Sequence, residues 1–132
     1  MKLHAPVICV LMIVGGFYLA TMRQGHSWGD DFSMYIYHAK NIVEGVDYQA
    51  TGYIYNPSRP IAPKTYPPIL LLLLSPIYKW CGLNLELMKI EVTLFFLASL
   101  YMLFLIFKNE LPYHYILAIL VLIGFNPLFL GL

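Results

Sequence analysis

Residues 3–22 read LHAPVICVLMIVGGFYLATM, without one Asp, Glu, Lys or Arg, between Lys2 and Arg23. A helix needs about 20 mostly apolar residues, in a range of about 17 to 25, to cross the hydrocarbon of a bilayer. This run qualifies, and two more follow. Val92 to Phe107 lies between Glu91 and Lys108, and Leu111 to Leu132 follows Glu110. The last is long enough as it stands. The middle one is long enough when Met88 to Glu91 forms an interfacial first turn, with Lys89 and Glu91 reaching toward the headgroups. A fourth run, Ile69 to Tyr78, is too short to cross. It follows Pro67-Pro68, contains Ser75-Pro76, and reads as a helix lying at the membrane surface, with Lys79 and Trp80 at headgroup level.

Composition agrees. Of the 132 residues 60% are hydrophobic and 11% charged, where a soluble domain has about half and about a quarter. A small soluble fold leaves too much of its surface in water to hide that excess. The net charge of +1 excludes a nucleic-acid partner, which needs a basic face. Cys9 and Cys81 read as packed apolar thiols rather than a disulfide framework. The first run is too long for a signal peptide and no small-residue cleavage site follows it, so it is expected to stay as an anchor.

The predicted fold is therefore all-α and integral to the membrane, one domain over residues 1–132. Three transmembrane helices lie at about 3–22, 88–107 and 111–132. The loop 23–87 carries two surface helices, at about 31–44 and 68–81. The sequence is still apolar at its last residue, with no charged flank. It reads as a fragment, a truncated frame or a split gene product, since membrane helices close on interfacial residues.

The loop holds most of the charge, proline and tyrosine. Between Trp28 and Gly45, Phe32, Tyr35, Ile36, Ala39, Ile42 and Val43 recur at helical spacing, with Ser33, Tyr37, Lys40, Asn41 and Glu44 opposite. That is an amphipathic helix, capped by Asp30 or Asp31 and closed by Gly45 at the left-handed position. Residues 46–68 lack a period and read as an irregular loop. There is no phosphate-binding glycine loop and no metal-site spacing. His38 has no partner at ligand spacing and is read as structural. His114 and Asn126 lie in the last helix, where polar groups face a bundle interior.

Asp30-Asp31 is the sharpest chemical feature. Aspartate at a helix start accepts orphan N–H groups and complements the dipole. The same geometry beside a bilayer suits a general base that takes a proton from a hydroxyl. Spacing does not decide which of the two carboxylates acts.

The runs Gly29-Asp30-Asp31-Phe32-Ser33-Met34-Tyr35 and Ala39-Lys40-Asn41-Ile42-Val43-Glu44-Gly45, then Tyr66-Pro67-Pro68 and an apolar stretch ending near Gly82, resemble the GT-C-type glycosyltransferases. These include the protein O-mannosyltransferases, the aminoarabinose transferases and related bacterial sugar transferases. The order of helices is similar too, over about the first quarter of such an enzyme. The resemblance implies a hexosyl- or pentosyltransferase with a polyprenyl-phosphate sugar as donor and a glycan, lipid or protein hydroxyl as acceptor. It implies an acidic base in the first outward loop, at Asp31 or Asp30, with Asp31 preferred because Asp31-Phe32 followed by Tyr35 four residues on is similar to the spacing common among these relatives. Tyr35, Arg59, Lys64 and Tyr66 are then candidates for the donor. In some relatives a lysine directly precedes the Pro-Pro pair; here that place is Tyr66, and Lys64 lies two residues earlier.

The resemblance puts the chain in a bacterial inner membrane with the large loop outside the cytoplasm. The lysine and arginine count points the other way, since the loop region holds Arg23, Lys40, Arg59, Lys64, Lys79 and Lys89 against Lys2 and Lys108. No cofactor is expected. Some relatives use a divalent ion, and only the Asp pair here has ligand character. Such enzymes build their donor groove from many more helices, so the chain alone is not expected to turn over. The alternative is a small non-catalytic membrane protein that binds a partner through its loop and surface helix. A transporter is disfavoured, because the charges cluster in the loop and at helix ends rather than at midplane depth.

Overall fold

The structure, a computed structural model, describes residues 4–25, 31–47, 50 and 66–126. Among these residues it is all helical. The five helices are α1 His4–Thr21, α2 Asp31–Glu44, α3 Pro68–Cys81, α4 Leu85–Phe107 and α5 Tyr113–Gly124. They form two compact units, one from Met1–Gln24 with Lys89–Leu132, the other from Gly25–Met88.

In the first unit, α1 has no charged residue and α4 has none from Val92 to Phe107. Such a helix is either a buried core helix or a membrane span. Both are long and apolar enough to cross a membrane. Only 22% of the apolar window of α1 and 11% of that of α4 is buried within the fold, whereas a soluble core helix is mostly covered. Met12, Ile13, Leu94 and Ile106 stand exposed.

The core of this unit joins Val7, Val14 and Tyr18 of α1 with Leu100 and Phe104 of α4 and Ile116 and Leu120 of α5. α1 and α4 run antiparallel. His4 Nδ1 lies 3.0 Å from the Tyr101 hydroxyl, the Tyr18 ring packs 5.5 Å from Phe96, and Lys89 Nζ donates to the Arg23 carbonyl oxygen at 3.0 Å. Two glycines set the spacing. A Cβ on Gly124 of α5 meets Val14 Cγ2 at 2.7 Å, and one on Gly15 of α1 meets Leu97 Cδ1 at 2.9 Å.

Three expectations are corrected here. The third span, expected at 111–132, is described only as the 12-residue α5. At about 1.5 Å per residue it is about 18 Å long, well short of a bilayer core of about 30 Å. The helix closes as Phe125 N–H bonds back to Val121 and Asn126 N–H to Ile123, just before Pro127, which disfavours helix in the residue ahead of it. Residues 127–132 lie outside the described residues. Next, α4 begins at Leu85 rather than 88, because Asn84 Oδ1 accepts the Leu87 N–H at 3.0 Å and caps the helix. Finally, Lys89 and Glu91 do not reach outward. Lys89 is only 5% exposed and holds the Arg23 carbonyl, two residues past the end of α1. The Glu91 Oε2 atom is buried.

The second unit is an α2–α3 pair. Phe32, Ile36 and Ala39 of α2 and Leu71 and Leu74 of α3 are buried. Gly45, at φ 67°, ends α2 in the left-handed conformation, and Val46 N–H bonds to Asn41 O at 3.0 Å. This is the glycine-terminated closure that satisfies the last carbonyls. Pro67 caps α3 and Pro68 opens it, where the missing N–H costs nothing. Pro76 lies inside α3; Ser75 Oγ donates to Leu71 O at 2.6 Å beside it.

Candidate functional site

Asp31 opens α2 and is exposed. One turn on, Tyr35 lies on the same side of the helix, as residues four apart do. Tyr66 precedes the two prolines that start α3. Its hydroxyl donates to Asp31 Oδ1 at 2.5 Å. The Tyr35 and Tyr66 rings meet edge to face, 4.8 Å apart at 84°. Behind them His38 is fully buried, its ring 6.3 Å from Tyr66 at 70°. The starts of α2 and α3 are thus joined through one carboxylate and a small aromatic cluster.

The electrostatics follow from this arrangement. Partial burial pushes the Tyr35 phenol above its usual range, and the charge of Asp31 adds to the shift. A hydroxyl–carboxylate contact of 2.5 Å lies in the charge-assisted range of about 2.5–2.7 Å. Asp31 can therefore accept from Tyr66 through one oxygen and from a substrate hydroxyl through the other.

Of the six residues singled out from the sequence, Asp31, Tyr35 and Tyr66 are brought together. Asp30, Arg59 and Lys64 lie outside the described residues. Two grooves flank the α2–α3 pair. One, of about 370 Å³, is lined by Ile42, Leu72, Pro76, Lys79 and Trp80 among others. The other, of about 310 Å³, is lined by Met34, Tyr37, Lys40, Tyr78 and Leu83 among others. Neither includes Asp31, Tyr35 or Tyr66. Among the described residues no group of three His, Cys, Asp or Glu side chains is placed to hold a metal ion.

Some polar features were not read from the sequence. Helical spacing alone does not bury His38, which is fully buried. Asn41 was assigned to the polar face and is buried too, because its Nδ2 donates to the carbonyls of Asp47 at 3.3 Å and Ala50 at 2.9 Å. Asp47 and Ala50 thus engage the side of α2 that helical spacing leaves open. In the other unit, Tyr18 Oη and Glu91 Oε2 are buried with no hydrogen-bond partner among the described residues. Comparison with protein-family models, with curated proteins and with solved structures finds no match for this chain.

Proposed function

We propose that this chain is a membrane glycosyltransferase, or part of one, that transfers a sugar from a polyprenyl-phosphate donor to a hydroxyl, with Asp31 as the general base. The observation that carries the reading is the Asp31 carboxylate at the start of α2, exposed and held at 2.5 Å by Tyr66, in a chain whose α1 and α4 have the length and apolarity of membrane spans. A helix cap alone does not require a phenol brought from 35 residues away. The resemblance of the Asp30-Asp31, Tyr35 and Tyr66-Pro67-Pro68 pattern to GT-C-type enzymes supplies the reaction class.

In this reading α1 and α4 cross the membrane, and the polyprenyl phosphate lies with its phosphate at headgroup level. The acceptor oxygen attacks the anomeric carbon as Asp31 takes its proton. The bond from that carbon to the phosphate oxygen breaks, and its electron pair leaves with the polyprenyl phosphate. The configuration inverts. Arg59 and Lys64 are the loop cations proposed for the phosphate, since phosphate binding calls for such groups, and Tyr35 is proposed to face the sugar. The loop is placed outside the cytoplasm.

The test is transfer from radiolabelled polyprenyl-phosphate mannose, glucose and aminoarabinose in membranes bearing the chain in its natural full-length context, compared with Asp31→Asn and Asp30→Asn. Loss of a general base lowers the rate by about 10²–10⁴-fold. Asp31→Asn is expected to do this while inserting normally, and Asp30→Asn to lose less. Transfer by Asp31→Asn equal to the parent leaves the carboxylate as a helix cap and removes the base assignment.

A further inference from the structure

We infer that Tyr66 is a positioning residue for Asp31 and not a surface on which sugar stacks; the inference rests on the base assignment above. An aspartate at an exposed helix start is free to turn about its side-chain bonds. A base must instead present one oxygen along one line to the acceptor hydroxyl, because misplacement by about 1 Å costs up to about 100-fold in rate. The Tyr66 hydroxyl selects one orientation by engaging Oδ1 at 2.5 Å. The exposed carboxylate keeps Oδ2 for the acceptor.

Tyr66 is itself fixed, which a positioning residue needs to be. Its backbone runs directly into Pro67 and Pro68 at the start of α3, and each proline ring locks its own φ. Its side chain is half-buried between Tyr35 and the fully buried His38. A ring already engaged by two aromatic neighbours offers little surface to a sugar. The phenol keeps its proton throughout the reaction, so no proton is left unaccounted for when Asp31 accepts the one from the acceptor.

The experiment measures kcat and donor KM in membranes for the chain in its natural full-length context, with the same three donors, for the parent, Tyr66→Phe, Asp31→Asn and the double variant. Phenylalanine keeps the ring contacts and removes only the hydrogen bond. Tyr66→Phe is expected to lower kcat by up to about 100-fold with donor KM unchanged, and the double variant to be no slower than Asp31→Asn. A raised donor KM at unchanged kcat places Tyr66 on the donor and overturns the inference. Parent-like kinetics of Tyr66→Phe beside an inactive Asp31→Asn overturns it while leaving the base in place. An active Asp31→Asn, or no transfer by the parent from any donor, removes the base reading and this inference together. Should Tyr66→Phe fail to fold, Asp31→Glu displaces the carboxylate by one methylene. A fall in kcat alone supports positioning, and an unchanged kcat overturns it.

Discussion

At the scale of single residues, the site departs from its sequence reading through contacts that span long separations. Asp31 and Tyr35 are visible in the sequence because they are one helical turn apart. Nothing in local spacing couples Asp31 to Tyr66, and nothing in a 3.6-residue period buries His38 or Asn41. Asn41 is held by the carbonyls of Asp47 and Ala50, and the His38 ring lies against Tyr66. Tyr35 gives this arrangement a pH signature. Its phenol titrates above the usual value of 10.0, first from burial and then from the neighbouring Asp31 charge. A raised folded-state value means the folded chain holds the proton longer than the unfolded one, so the contribution to stability is complete below pH 10 and is lost as pH rises through the folded value. The thermal midpoint of the parent relative to Tyr35→Phe is expected to be flat below pH 10 and to fall above it. A relative midpoint that rises there contradicts the assigned environment.

At the scale of helices, the elements with strong punctuation were legible. The α2 bounds coincide with the expected 31–44, since an aspartate opens the helix and Gly45 closes it; α3 coincides with 68–81, between Pro67-Pro68 and Gly82. Apolarity alone starts α4 near 88, past the Asn84 cap that opens it at Leu85. α5 was overextended because hydropathy continues past the point where Asn126-Pro127 stops a helix. Packing between helices was not legible at all. Gly15 and Gly124 look alike in sequence, yet they meet different neighbours. The Leu97 methyl near Gly15 is the end of a flexible side chain and can turn away. Val14 beside Gly124 is β-branched and stiff. Replacing a helical glycine by alanine gains about 1 kcal/mol in propensity, while overpacking costs about 1–3 kcal/mol. Gly15→Ala is therefore expected to leave the thermal midpoint in detergent unchanged or raised, and Gly124→Ala to lower it. The opposite order places the tight contact elsewhere.

At the scale of the whole molecule, α1 and α4 leave most of their apolar surface exposed. Composition announced it, and the low burial of both helices leaves it in need of a cover. The chain has two cysteines, both free and exposed, Cys9 within α1 and Cys81 at the end of α3. If α1 crosses the bilayer, Cys9 lies in hydrocarbon, where a water-soluble maleimide cannot reach it. In intact membranes Cys81 is expected to label and Cys9 to label only after denaturation. Equal labelling of both before denaturation contradicts a spanning α1. The side from which Cys81 is modified reports the orientation on which charge count and family resemblance disagree.

The Lys89–Arg23 contact has a further consequence. The chain leaves the first unit at Gln24 and re-enters it at Lys89, and the Lys89 ammonium sits on the carbonyl of Arg23. Exit and re-entry are thus neighbours, as the ends of an inserted domain are. Closing such an insertion depends only weakly on its length, each doubling costing about 0.6 kcal/mol. The α2–α3 segment is therefore free to lengthen, shorten or be exchanged in evolution while α1 and α4 keep their register.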